Sequence, residues 1–254
     1  MKKATLLCGM LLAITASVAS AGPGLNLRWN ACFGDGGVLN KAFACNSNTI
    51  PSAHQMVGSF EVPAVMLGTS GLEVVIDLAS GSATLPAWWQ FKNAGTCRTN
   101  SMTMNFTISL SANACADWAP AGASGGIGAY NIGQRGPNTA RIVAAIAVPA
   151  TGLSDLFPGQ EYFAYNILLN NAKTVGTGAC AGCQTGVCIE WNSCNVTNPN
   201  PALNRRIVGP TNGTDSDFCT WQGPVAPTVG SVIGCNAAVP TRNTTWGAVK
   251  TLYR

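Results

Sequence analysis

Charge is what this sequence has least of. Asp, Glu, Lys and Arg make up only 9% of its 254 residues, against the roughly 25% of an ordinary cytosolic domain. The basic residues are scattered with no run among them, so the electrostatic footprint of a nucleic-acid binder is missing. After Ala21 no apolar stretch approaches the roughly 20 residues of a spanning helix, which excludes a helical membrane span. No helical pattern of ten residues appears before the C-terminus. Histidine occurs once, as His54, and glutamate four times, as Glu61, Glu73, Glu161 and Glu190. Little is therefore available for acid–base or nucleophilic chemistry.

What is present begins with an export signal. Lys2 and Lys3 precede a mostly apolar stretch, Ala4 to Ile14, and Ala19-Ser20-Ala21 forms a small-residue cleavage site. Cys8 lies inside this signal; Thr5-Leu6-Leu7 before it lacks the small residue that lipidation requires. Removing residues 1–21 and their two lysines lowers the net charge from +4 to +2. Of the 11 cysteines, ten remain in the mature chain, an even number suited to a disulfide framework outside the cytoplasm. The remaining chain is long enough to bury roughly 70% of its unfolded surface, so disulfides would reinforce a packed core and not replace it. The signal has a bacterial cast, so Asn105, Asn195, Asn212 and Asn243, each opening N-x-T, read as polar turn and strand residues.

Period-two alternation dominates the mature chain. Met102, Met104, Phe106, Ile108 and Leu110 alternate with polar residues, and Leu72, Val74, Ile76 and Leu78 do the same. Tyr162–Leu169 places Phe163, Tyr165, Ile167 and Leu169 on one face, while Ile142–Val148 is apolar on both. Leu25–Phe33, Met56–Val62, Trp88–Lys92, Val187–Trp191 and Val232–Ala238 are further strands. Nine or so strands punctuated by Gly and Pro predict an all-β antiparallel Greek-key or jelly-roll-like sandwich, in one domain spanning 22–254. The Gly-rich stretch Ala119–Asn138 reads as a long, mobile loop. Residues 245–253 read as a short C-terminal helix, with Trp246, Val249, Leu252 and Tyr253 on its apolar face and Lys250 and Arg254 toward its C-terminal end. A helix this short needs something to dock on.

Two resemblances add to this reading. Leu156-Phe157-Pro158-Gly159-Gln160-Glu161-Tyr162 resembles the tyrosine corner of fibronectin type III-like sandwiches, which implies that the Tyr162 hydroxyl bonds back to upstream backbone. Trp29-Asn-Ala-Cys32, the Cys180-Ala-Gly-Cys183 cluster and the terminal Trp246–Arg254 segment look like those of a group of uncharacterised secreted bacterial proteins. That likeness implies secretion and no activity.

The cysteine spacing allows several pairings. Cys180, Cys183, Cys188 and Cys194 could hold zinc with four thiolates, but an oxidising compartment favours two local disulfides. Proximity pairs Cys32 with Cys45, Cys97 with Cys115, and Cys219 with Cys235, each closing a short loop and contributing about 3 kcal/mol. Connectivity is not fixed by sequence.

Candidate sites are few. Gly122-Ala-Ser124-Gly-Gly126 matches a nucleophile elbow but lacks the strand before and helix after that the motif needs. Glu73 and Asp77 share a strand face about 13 Å apart, too far for the roughly 5–9.5 Å of glycosidase carboxylates. Glu161 reads as the end of a turn, and Glu190 has no evident partner. Asp215 and Asp217, in Asn212–Asp217, form a candidate calcium loop without the late glutamate of an EF-hand, so the expectation is no cofactor unless this loop takes calcium. On a strand over 88–92, Trp88, Gln90 and Lys92 share a mixed face suited to stacking on a sugar. Together these predict a secreted, non-catalytic extracellular or surface protein. The alternative is a carbohydrate-binding or carbohydrate-processing jelly roll, and the partner is accordingly a glycan or another surface protein.

Overall fold

Alternating apolar positions close on one another as two packed sheets in the computed structural model, which describes residues 23–108, 115–209 and 217–223. One sheet has the order β1 (Gly24–Trp29), β3 (His54–Glu61), β11 (Tyr162–Leu169), β6 (Met102–Asn105), all antiparallel, with the short β7 (Ala116–Asp117) parallel to the start of β11. The other has the order β2 (Asn40–Lys41), β14 (Phe218–Trp221), β12 (Val187–Thr197), β5 (Gly71–Ser80), β9 (Thr139–Ala147), β8 (Ser124–Ile132). β13 (Arg205–Ile207) pairs with the far half of β12. A separate two-stranded ribbon joins β4 (Met66–Thr69) to β10 (Ser154–Leu156). The only helical turns among the described residues are three 3-10 turns: Ala87–Trp89, Ala150–Gly152 and Pro201–Leu203. The fold is an all-β, disulfide-reinforced sandwich.

The core is the space between the two sheets. Leu25, Leu27 and Trp29, then Met56 and Phe60, then Tyr165 and Ile167 face Leu72, Val74, Ile76, Leu78, Ile142, Ile146, Val187, Ile189 and Trp191. Trp191 spans the interface, its ring edge-on to Tyr165 at 4.9 Å and to Phe60 at 6.5 Å. Position 58 must be glycine: a Cβ there would lie 2.4 Å from Cζ of Tyr165.

Several sequence expectations change. The stretch Ala119–Asn138 is not a loop: its centre is β8, held by backbone pairing to β9 that needs no side chains. Ile142–Val148 is apolar on both faces but buried on one, with Val143, Ala145 and Ala147 exposed. Of the expected strand over 102–110, Met102–Asn105 forms β6 and residues 106–108 carry no strand, while 109 and 110 lie outside the described residues. The signal segment, Val232–Ala238, Asp215 and the expected helix 245–253 lie outside the described residues.

Cysteine pairing is long-range. Cys32 bonds Cys115, Cys45 bonds Cys183, and Cys97 bonds Cys180, across 83, 138 and 83 residues. Neither the local pairs nor the four-thiolate zinc site forms, because the sandwich brings sequence-distant loops together. Closing loops this long contributes about 4.5–5 kcal/mol per bridge on loop-entropy grounds, against about 3 for local bridges. Cys188 is also disulfide-bonded. Cys194 and Cys219 are buried free thiols, contrary to the expected full pairing. Both point into the core, but Cys219 sits opposite Ile189 and Cys194 opposite Ile207. Five residues of β12 separate those positions, roughly 15 Å of strand, beyond the roughly 7 Å that a disulfide bridges.

Candidate functional site

The expected sugar-stacking face does not form. Pro86 sits at φ −61 and ψ 152, and Ala87–Trp89 turn as a 3-10 helix instead of a strand. Trp88 and Trp89 are therefore not on opposite faces; both are buried, at 0% and 1% exposure. The Trp88 indole donates to the Thr174 hydroxyl at 3.0 Å, and its ring is covered by the Arg98 guanidinium, 3.5 Å from the ring centroid. Gln90 donates to the Leu85 carbonyl at 3.0 Å, and Lys92 is exposed in the left-handed region at φ 66. Trp29, Trp118, Trp191 and Trp221 are buried as well, so no tryptophan strip faces solvent among the described residues.

Other sequence candidates are dispersed. Ser124 opens β8, level with the start of β5 across β9, whereas His54 opens β3 at the opposite end of the sandwich. His54 bonds the Asn171 side chain at 2.9 Å and packs on Phe43; burial lowers its pKa. The Asp217 carbonyl accepts from Trp191 N at 2.7 Å. The one tight group of potential metal ligands among the described residues is Cys32, Asp35 and Cys115, but both sulfurs are spent in a disulfide. Glu161 does more than end a turn. It accepts from Phe33 N at 3.1 Å, Gly34 N at 2.9 Å, Asn26 Nδ2 at 3.4 Å and the Ser59 hydroxyl, pinning the loop after β1 to the sheet. One residue on, the Tyr162 hydroxyl accepts from Phe157 N at 2.9 Å.

Glu190 has a partner that spacing along the chain could not reveal. Arg141, Asp77, Glu190 and Phe218 occupy successive strands in one cross-strand row, β9–β5–β12–β14. Trp191 N points to β14, so the amide of Glu190 points to β5, making Glu190 and Asp77 a narrow pair with Cα atoms about 5.5 Å apart. Asp77 is fully buried, and both its oxygens are taken. Arg141 Nε and Nη2 reach Oδ1 and Oδ2 at 2.7 Å each, and Arg135 Nη1 reaches Oδ2 at 2.6 Å. Glu190 is buried, at 7% exposure. Burial pushes its pKa up to about 8, and the charges of Asp217 and Asp77 add to that. Two neighbouring carboxyls, one of them with a raised pKa, are the pattern of glycoside hydrolysis. Here Asp77 is not free to act as nucleophile or base, because its oxygens are committed to the Arg135 and Arg141 guanidinium groups. The sequence signal was Asp77 itself, flanked by Ile76 and Leu78 in the apolar run that follows Glu73.

The surface feature that stands apart is the β4–β10 ribbon. Met66 and Leu156 point inward, at 7% and 0% exposure. Alternation then turns Val65, Leu67, Leu153 and Phe157 outward, at 53%, 60%, 40% and 50%. Asn198 ties the following turn to this ribbon, donating to the Leu67 and Gly68 carbonyls at 2.7 and 2.8 Å while its N–H bonds Asn204. That turn carries Leu203, 47% exposed. Five of the nine exposed large hydrophobics among the described residues thus belong to one end of the sandwich, the end opposite the Cys45–Cys183 and Cys97–Cys180 bridges. None of the five was singled out by the sequence, because a short four-residue strand leaves too little alternation to show which face is covered.

No protein-family model and no curated protein matches the chain. Among solved structures, a chain described as "Complete structure of manganese lipoxygenase of Gaeumannomyces graminis and partial structure of zonadhesin of Komagataella pastoris" is 10% identical, with a TM-score of 0.21. The alignment covers 79% of this chain and 58% of that one. A score of that size carries neither fold nor function across.

Proposed function

We propose that this chain is a secreted, non-catalytic extracellular or surface protein that works by contact with another protein through the β4–β10 ribbon. The observation that carries this reading is the gathering of Val65, Leu67, Leu153, Phe157 and Leu203 at one end of the sandwich. Contiguous exposed apolar surface on a soluble protein marks a contact site. Export is supported by the N-terminal signal pattern and by the three long-range disulfides, which persist in an oxidising compartment. No helix among the described residues is long and apolar enough to cross a membrane.

A carbohydrate-processing jelly roll is the second reading, favoured by Glu190, its pKa raised by burial, lying opposite Asp77 and opposed by the guanidinium clamp on Asp77. One comparison separates the two. The oxidised mature protein and its Leu67→Asp/Phe157→Asp variant are run through polysaccharide affinity gels with and without calcium, and crosslinked to the surface of the secreting cells. The contact reading expects no retardation and a protein crosslink that the variant loses. Retardation by a defined glycan, equal in both proteins, would transfer the function to carbohydrate.

A further inference from the structure

We propose that the partner of the β4–β10 ribbon is a second copy of this chain, docked face to face about a two-fold axis. The inference rests on the contact reading above and goes further by naming the occupant.

Strand addition is hindered at β8, β2, β13 and β1. β8 ends the larger sheet, but its free edge is broken by a bulge between Ile127 and Ala129. Gly133 N bonds Thr139 O toward β9, so Tyr130 turns its backbone to the open side, where Asn93 Nδ2 caps the carbonyl at 2.9 Å. β2 has two residues, and β13 presents the exposed Arg205 and Arg206. β1 is closed by Val38 and by Gly209, whose carbonyl accepts from Leu25 N at 2.9 Å. Bulges, short strands and edge charges are the devices that prevent edge-to-edge pairing. Beside those protected edges, the outward face of the ribbon offers apolar side chains for contact.

The size of that face fits a copy of itself. Five large side chains at about half exposure present on the order of 400 Å² of apolar surface, the range of functional patches. Homodimer interfaces are about 65% apolar, so such a core belongs to an interface of roughly 600 Å² per partner, at the lower end of specific complexes. The outward ribbon face carries one charge, Asp155, which already accepts from Gly68 N at 2.9 Å. An apolar face that asks for no opposite charge is complementary to itself, as an isologous contact requires.

Sedimentation equilibrium of the full mature, oxidised protein across the micromolar range tests this. The expected result is a monomer–dimer equilibrium whose dissociation constant rises at least about tenfold in Leu67→Asp/Phe157→Asp, the loss expected for central apolar contacts. Unfolding midpoints establish that the variant is folded, and the milder Val65→Ser/Leu153→Ser serves if it is not. A wild type that stays monomeric, or a dimer that both variants leave intact, overturns the proposal. If the monomer still gives the variant-sensitive crosslink to the cell surface, only the second copy is lost and the contact surface stands. Should the monomer give no such crosslink, both fall. A monomer destabilised by the ribbon variants also overturns it, assigning the ribbon to cover by the chain itself.

Discussion

Arg98 lies with its guanidinium 3.5 Å from the ring centroid of Trp88 and donates to three backbone carbonyls, those of Trp88, Asn170 and Ala172. At 1% exposure it is a buried cation without a carboxylate among these partners. Burial lowers its pKa to about 9, still high enough to keep it charged at neutral pH. The ring face and the carbonyls replace the water it gave up. Arg98→Lys keeps the charge but loses the planar stack and the fork of donors. It should lower unfolding stability in urea by about 3 kcal/mol, as loss of a buried hydrogen-bonded network does; an unchanged midpoint would show that the stack contributes nothing.

Glu190 makes stability depend on pH. Its folded pKa of about 8 lies above its ordinary 4.5, so between those values the folded state holds a proton that the unfolded state has lost. Stability therefore falls as pH rises from about 4.5 to about 8 and levels off above. Glu190→Gln keeps the shape and removes the titration. It should stabilise the protein by roughly 3 kcal/mol at pH 7 and flatten the slope. A variant with the wild-type slope would place the proton elsewhere.

Cys194 and Cys219 should resist thiol reagents while the protein is folded. Both are fully buried, and burial pushes both thiols well above their ordinary value, which removes the reactive thiolate. Unfolding without reductant should expose them together, with the label mapping to these two positions by mass spectrometry. Rapid native labelling of either, or a bridge between them in the digest, contradicts the structure.

The bridge between Cys45 and Cys183 fastens the loop before β3 to the loop before β12, beside Gln222, whose amide donates to the Phe43 and Cys183 carbonyls at 2.9 and 3.1 Å. Replacing both cysteines by serine should cost about 4–5 kcal/mol, read as a lowered thermal midpoint. A non-reducing peptide map should recover this pair together with Cys32–Cys115 and Cys97–Cys180. Recovery of Cys32–Cys45 would restore the local scheme.

Alternation along the chain was enough to determine the all-β class and the inner face of β5, since period two is a local property that a one-sided core imposes on any strand. Leu72, Val74, Ile76 and Leu78 face the core as their spacing requires. The backbone hydrogen bond to the Tyr162 hydroxyl spans five residues and was equally within local reach. Tertiary structure alone decided what depends on neighbours far along the chain. Trp88 alternates correctly for a sugar-binding face, yet Arg98, Thr174 and the turn after Pro86 bury it. Glu190 acquired its carboxylate partner from 113 residues away, through the β5–β12 register. Ser124–Ile132, poor in side chains, became a strand because β9 offered it a backbone ladder. Ten cysteines were visible, but their partners followed loop positions that only the stacking of two sheets brings together. Exposure of the β4–β10 ribbon is of the same kind: Val65 and Leu67 are apolar in any fold, and they face outward here because Met66 took the inward side.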